Sequence, residues 1–355
     1  MISAKMAVKS RYIPILKAKL AEFEALRELP AQIRQQVTPV IELRAEAGAE
    51  TWGKRFATHW GEGAPIYVDV VAGRRGRGLA SASDVLARVL EYCRLKGVLA
   101  IPVTGLIRPD AYQEVVASAT RKDMRGVLIR LSPADAERNA DLKALVREHG
   151  NNRSSLAALL DFGPIEPNAT TQTALAALSL LAPLRGTAKW SLVGLASTSF
   201  PQRLGELPKE EVGDGVTRAL VKRADWDAWT RVRRSSTDSS AVPTYSDYTV
   251  QHPKETEIDR KNIPRVPNIR YTLDDTWVIY QGKNLNKVAS PTFRDLCGVL
   301  TGNGKEFTGA SHCAGDQFLL RCARGEVTPI PANYAAWRRP CFTHHIASVL
   351  QRLPT

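Results

Sequence analysis

Residues 98–161 read VLAIPVTGLIRPDAYQEVVASATRKDMRGVLIRLSPADAERNADLKALVREHGNNRSSLAALLD. Three short apolar runs punctuate the stretch, at 98–103, 126–131 and 156–161, and each carries a polar residue at or beside its end: Thr104, Arg130 and Asp161. Their starts lie 28 and 30 residues apart, the length of a strand, a loop, a helix and a second loop. Between the first two, Pro109-Asp110 opens a segment that puts Val115, Val116 and Ala119 on one helical face. The apolar runs do not alternate with polar residues, which is the pattern of strands buried on both faces by flanking helices.

The same rhythm extends in both directions. Runs at 12–17, 38–43 and 66–70 precede this stretch and one at 189–195 follows, with starts stepping by 26 to 33 residues. An eighth candidate, 244–250, comes after a longer interval. Ser81-x-x-Asp84 offers a helix cap ahead of Val85, Leu86, Val89, Leu90 and Cys93 at helical spacing, and 170–181 is a strongly apolar helix. Such alternation leaves a closed barrel or an open doubly wound sheet. No Gly-x-Gly-x-x-Gly turn follows the first run, and Arg75-Gly-Arg-Gly lies after the third without the required spacing. The eighth unit then favours a (β/α)8 barrel of the TIM type over residues 1–265. The polar segment 231–241, RVRRSSTDSSA, reads as an exposed loop, and 255–267 as a charged, proline-bounded stretch. Strand-like pieces at 268–272 and 277–281 and helices near 293–300 and 344–353 suggest an α+β extension, residues 266–355, packed on the barrel.

The 355 residues suffice for a large core, and 44% hydrophobic and 24% charged residues are ordinary globular values. No apolar run reaches the ~20 residues of a membrane span. The basic residues 1–11 lack the apolar centre of a secretory signal, and either Met1 or Met6 can serve as the start. Cys93, Cys297, Cys313, Cys322 and Cys341 form no C-x-x-C pair, which suits reduced thiols and a cytoplasmic location. Forty-nine Lys and Arg against thirty-six Asp and Glu leave +13, an excess that favours polyanionic partners but also suits a plain solvated surface.

In a barrel of this kind chemistry sits where the strands end. The ends here carry Lys17 and Lys19, Glu42 and Arg44, Asp69, Thr104, Arg130, Asp161, Ser197 and Ser199, and Asp247. Side chains alternate across a strand, so Lys17 pairs in direction with Lys19 and Glu42 with Arg44. A charge at a strand end is ordinary taken singly. Glu42, Asp69 and Asp161 each follow an apolar run, however, where a carboxylate is costly unless paired or coordinated. Either they form a structural ion-pair ring with Lys17 and Arg130, or they form a site. As a site they could hold Mg²⁺ or Mn²⁺ for phosphoryl chemistry, with Lys17, Lys19 and Arg130 on the phosphate. Two of them could instead act as acid and base on a glycosidic bond, although the basic mouth favours an anionic substrate. His344-His345 is adjacent rather than spaced for zinc, and no H-E-x-x-H, G-x-S-x-G or Walker loop occurs.

The last third adds Asp247 and His252, Arg270-Tyr271, Trp277, Tyr280, Gly315-Asp316, Trp337 and His344-His345. Aromatics among Arg and His could stack on bases and contact phosphates, or simply anchor a loop-rich domain with little core. Tyr12-x-Pro14-x-Leu16-Lys17-x-Lys19-x-x-Glu22, Pro39-Val-Ile-Glu42, Asp69, Leu160-Asp161-Phe162-Gly163, Asp247-Tyr248…His252-Pro253, Arg270-Tyr271, and Gly315-Asp316 through Trp337 to His344-His345 together resemble the bacteriophage- and prophage-associated Beta protein family. The resemblance spans most of the chain and departs only in the basic leader before Tyr12. It implies a setting in phages and bacterial mobile elements, and brings no catalytic residues with it.

Two functions fit these readings. The first is a metal-assisted phosphodiesterase or nuclease-like hydrolase acting on nucleic acid or a nucleotide. Glu42, Asp69 and Asp161 would be its catalytic and metal-binding residues. Lys17, Lys19, Arg130, Asp247, His252, Arg270, Asp316 and His345 would contact substrate. The second is a non-catalytic binding module in phage–host conflict, recognising nucleic acid or a protein from the phage or the same operon. Oxygens of the three carboxylates within about 5 Å of one point favour the hydrolase; each carboxylate tied singly to an Arg or Lys favours the module.

Overall fold

A computed structural model describes residues 10–44, 48–71, 80–150, 155–236, 238, 241–254, 266–289, 291–327 and 334–354, with backbone alone at 80–81 and 334. The Arg75-Gly-Arg-Gly stretch, the start of the basic leader and nearly all of 255–267 lie outside the described residues.

Twelve strands occur among the described residues: β1 (Tyr12–Lys17), β2 (Val40–Arg44), β3 (Pro65–Val71), β4 (Leu99–Thr104), β5 (Val127–Leu131), β6 (Leu156–Pro164), β7 (Leu192–Thr198), β8 (Glu210–Glu211), β9 (Thr217–Lys222), β10 (Thr244–Asp247), β11 (Asn268–Thr272) and β12 (Thr276–Gln281). Eight of them close into a parallel barrel in the order β1-β10-β7-β6-β5-β4-β3-β2, with helices between the strands. This is the (β/α)8 barrel expected from the repeat.

Two-residue alternation explains why the strand sequences look apolar throughout. Ile13, Ile15, Val40, Tyr67, Ile101, Val103, Leu128, Ala157, Leu159 and Ala196 fill the barrel interior together with Tyr248. Their neighbours, among them Leu16, Ile41, Val68, Ile129, Leu160 and Leu195, pack outward into the core shared with the helices. Gly194 belongs to the inner set, and a Cβ there would stand 2.8 Å from Leu159 Cδ1. A larger residue would displace the interior packing.

Helix boundaries follow local chemistry, with two departures from expectation. Pro109 stands immediately before helix Asp110–Asp123, which buries Tyr112, Val116 and Ala119. Helix Ala80–Leu95 begins before Ser81, so Ser81 lies inside its first turn and is not the cap. Segment 231–241 is not wholly loop, because helix Ala224–Ser235 runs through its first half. Trp229 and Val232 give that helix a buried face, and Arg233 and Arg234 suit its C-terminal dipole.

A second, antiparallel sheet has the order β11-β12-β9-β8. β8 and β9 come from the long interval between β7 and β10, and β11 and β12 follow the barrel, so this sheet joins chain from both sides of the last barrel strand. Helices Phe293–Gly302, Ala314–Ala323 and Tyr334–Arg352 complete this layer, and the last packs on helix Leu20–Glu28 of the barrel. Among the described residues no helix is long and apolar enough to cross a membrane.

Candidate functional site: the barrel mouth

Strand register assembles the mouth. Lys17 pairs with Glu42, and Glu42 with Asp69, so three neighbouring strands present one row of charge. Each shares the parity of the interior residues below it, Ile15, Val40 and Tyr67, and therefore points inward. Arg130 and Asp161 follow Leu128 and Leu159 in the same way.

Arg130 is the centre of the group. Its Nη1 donates to Glu42 Oε1 and to Asp69 Oδ2, both at 2.8 Å. Its Nε donates to Asp161 Oδ2 at 2.9 Å, and its Nη2 to the Tyr248 hydroxyl at 2.7 Å. Tyr248 passes the contact on, donating to Asp161 Oδ2 at 2.6 Å. The other Asp161 oxygen accepts from the Gly163 amide at 2.8 Å, and the other Asp69 oxygen is bound by Arg108, whose Nη1 also holds the Val70 carbonyl at 2.6 Å. Burial alone would pull the Arg130 pKa down, but Tyr248 and the three carboxylates hold it well above the ordinary value. Burial first and Asp161 second push Tyr248 up, which keeps its hydroxyl protonated and donating.

The geometry sets an arginine at the point where a metal was expected. A guanidinium already stands among Glu42, Asp69 and Asp161, and all three of its nitrogens are engaged there. These carboxylates therefore form a cage for an arginine, and Arg130 has its donors committed to the protein rather than to a phosphate. Among the described residues, the His, Cys, Asp or Glu cluster with ligand atoms within 4.8 Å of one another is His312, Asp316 and His344.

Lys17 and His252 meet beside the cage, where Lys17 Nζ donates to the His252 carbonyl at 3.0 Å. Lys19 instead precedes helix Leu20–Glu28, and its amide donates to Glu22 Oε2 at 2.9 Å. Glu22 was not among the expected site residues. Its Oε1 accepts from the Lys17 amide at 3.2 Å and from Gln251 Nε2 at 2.6 Å. Burial raises its pKa to about 7 against the pull of Lys19.

Four expected site residues lie elsewhere. Asp247 has the opposite parity to Tyr248, and its carboxylate is on the outer face of the wall. There it accepts from the hydroxyls of Tyr12 at 2.5 Å and Tyr245 at 3.0 Å and from His345 Nε2 at 2.9 Å, with Arg223 at 3.7 Å. Burial would raise the Asp247 pKa, but His345, Arg223 and Tyr12 hold it at about 2. Burial keeps His345 below its ordinary value, so it donates from Nε2 while Nδ1 faces the Thr272 hydroxyl at 2.8 Å. Arg270 ties β11 to the barrel through the Val250 carbonyl at 2.8 Å and lies over the Phe200 ring. Asp316 accepts from Tyr271 at 2.5 Å in the C-terminal layer.

Sequence reasoning therefore found five of the charged residues at the mouth and missed Tyr248, Arg108 and Glu22. Tyr248 stood only as part of the Asp247-Tyr248…His252-Pro253 pattern, and Arg108 sits in a loop whose direction no periodicity predicts. The one available signal for Glu22 was its place at the end of the Tyr12-x-Pro14…Glu22 pattern. A separate groove of about 470 Å³ lies along helix Ala224–Ser235, lined by Trp226, Arg231, Arg234, Asp274, Asp275 and Arg352 among others.

No curated protein matches the chain. Among solved structures, a mutant tryptophan synthase alpha-subunit from the hyperthermophile Pyrococcus furiosus is similar at 12% identity and a TM-score of 0.35, over 68% of this chain and 89% of that one. The family model described as Beta protein matches residues 12–351, and the chain belongs to the Beta protein family.

Proposed function

We propose that this protein is a non-catalytic binding module for nucleic acid or a nucleotide, rather than a metal-assisted phosphodiesterase. The observation that carries the reading is Arg130. A fixed guanidinium, bound by three carboxylates and a phenol, occupies the point where Mg²⁺ or Mn²⁺ would have to sit. Hydrolysis of a phosphodiester by that route needs an exchangeable cation that can also touch substrate. The mouth charges are close to balanced, with Lys17, Arg108 and Arg130 against Glu42, Asp69 and Asp161.

Attraction for a polyanion then comes from the +13 surface. The groove along helix Ala224–Ser235 is the candidate place for it, where the part-exposed edge of Trp226 stands beside Arg231 and Arg234, with Asp227, Asp274 and Asp275 on the same lining. A phage or mobile-element setting and a reducing, cytoplasmic location belong to the same proposal, the latter supported by free thiols.

Fluorescence anisotropy with labelled single-stranded DNA and RNA tests it. Even two phosphate contacts should weaken binding about sevenfold between 50 and 200 mM salt. Arg231→Ala/Arg234→Ala should weaken it further, with no strand cleavage in Mg²⁺ or Mn²⁺. Cleavage that EDTA stops and Asp161→Ala abolishes would restore the hydrolase. Absence of binding at low salt would replace nucleic acid with a protein partner from the phage or the same operon.

A further inference from the structure

The C-terminal layer holds a donor set that the barrel mouth does not use. Asp316 lies in the first turn of helix Ala314–Ala323, just after Cys313, and His344 lies in helix Tyr334–Arg352. The two helices touch at Gly315. A Cβ there would stand 2.4 Å from the Pro340 carbonyl oxygen, so only glycine permits this crossing. The crossing brings Asp316 Oδ2 to 2.9 Å from His344 Nδ1. Cys313 Sγ lies 3.0 Å from the same oxygen, and a ring nitrogen of His312 completes a His–Asp–His set within 4.8 Å.

The hydrogen bonding inside this set is asymmetric. His344 Nε2 faces the Thr272 carbonyl at 2.8 Å, an atom that can only accept, so Nε2 carries a proton. The other ring nitrogen, Nδ1, lies 2.9 Å from the Asp316 carboxylate oxygen. A cation held by both atoms would sit to one side of the line between them, about 2 Å from each. The surroundings have the form of a metal site's outer shell: the second nitrogen of the histidine is on a backbone carbonyl, and the second carboxylate oxygen is held by Tyr271 at 2.5 Å. Tyr271 also stacks on the His344 ring at 3.7 Å, which fixes the ring's orientation.

We propose that His312, Asp316 and His344, joined by Cys313 once its side chain turns from Asp316 toward them, bind a divalent transition cation of the Zn²⁺ type, as a structural staple between the last two helices. Two imidazole nitrogens, a thiolate and a carboxylate suit zinc and cobalt, whereas Mg²⁺ prefers oxygen alone. Binding displaces the Cys313 thiol proton to solvent, and thiolate and carboxylate together balance the charge of the cation. Half-buried His312 and Cys313 leave the cation a path in from solvent. The site is independent of the barrel mouth and of any ligand bound there.

Cobalt titration of the full chain, followed by visible and near-ultraviolet absorption, tests the proposal. One Co²⁺ per chain with ligand-field bands of tetrahedral intensity and a thiolate-to-cobalt band is expected. Cys313→Ser should lose the thiolate band and keep most of the cobalt, while His312→Ala, at a partly exposed position, should fold and lose both. Zn²⁺ should raise the Tm of the wild type by several degrees and leave His312→Ala unmoved. A wild-type chain that retains no metal after dialysis, shows no cobalt bands and melts alike in Zn²⁺ and EDTA would overturn it, leaving a hydrogen-bonded His344–Asp316 pair.

Discussion

The barrel wall carries a carboxylate–guanidinium cluster on each face. At the mouth, Arg130 and its partners Glu42 and Asp161 keep side-chain exposures of 10–15%, with Asp69 beneath them. On the outer face Arg223, Asp225, Asp247 and His345 are at most 1% exposed, sealed under the second sheet and the C-terminal helix. The residue types are nearly the same. The difference is access: a ligand can reach the mouth cluster, whereas the outer one is joined on all sides to protein groups. Perturbed charges in a closed cluster hold layers together, and the same charges at an open rim remain available for recognition.

If that comparison holds, the largest effect belongs to the outer cluster. Asp247→Ala removes the acceptor shared by the buried Tyr12, Tyr245 and His345 and should cost about 3–5 kcal/mol in urea or thermal unfolding. A loss under about 1 kcal/mol would mean that the outer cluster does not hold the wall.

Glu22, between the mouth and the first helix, gives the next effect through pH. Its folded pKa of about 7 exceeds the ordinary 4.5, so between those values the folded chain binds the proton that the unfolded chain has lost. Stability from this group is fully present below about pH 4.5 and is lost as pH rises to about 7, by about 3 kcal/mol in total. Asp247 acts in the opposite sense, its contribution fading only as pH falls from about 4 through 2. Unfolding free energies from pH 4.5 to 8 should therefore slope downward for the wild type more than for Glu22→Gln; parallel slopes would remove Glu22 from the account.

Arg130→Ala leaves Glu42, Asp69 and Asp161 facing one another and should cost about 2 kcal/mol near neutral pH, less than a sealed pair because the rim is partly wet. Mg²⁺ or Mn²⁺ should recover much of that loss in the variant and do little for the wild type. Equal stabilisation of both would show that the guanidinium does not fill the cation's place. Glu42→Ala gives the smallest effect on stability, under about 1 kcal/mol, since Arg130 keeps its other partners.

How far the sequence reached can be judged from particular residues. The rhythm of apolar runs located the barrel strands within a few residues because a strand buried on both faces has no choice but to be apolar. Parity placed Lys17, Glu42, Asp69, Arg130 and Asp161 on one rim because side-chain alternation is a local property of an extended chain. Asp247 escaped that logic. Its run reads as continuous to Val250, so nothing in it marked which polar residue faces the mouth; β10 ends at Asp247, which shares the outward parity of Tyr245.

Local chemistry alone thus determined that this chain is a (β/α)8 protein with a charged mouth, since periodicity and alternation need only near neighbours in sequence. Tertiary structure decided what the charges do. Whether three carboxylates hold a metal or an arginine depends on Arg130 reaching across the mouth to Glu42, 88 residues away. Whether His344 meets Asp316 depends on two helices crossing at a glycine against the Pro340 carbonyl. Contacts between side chains distant in sequence are set by packing, and packing has no one-dimensional period to read.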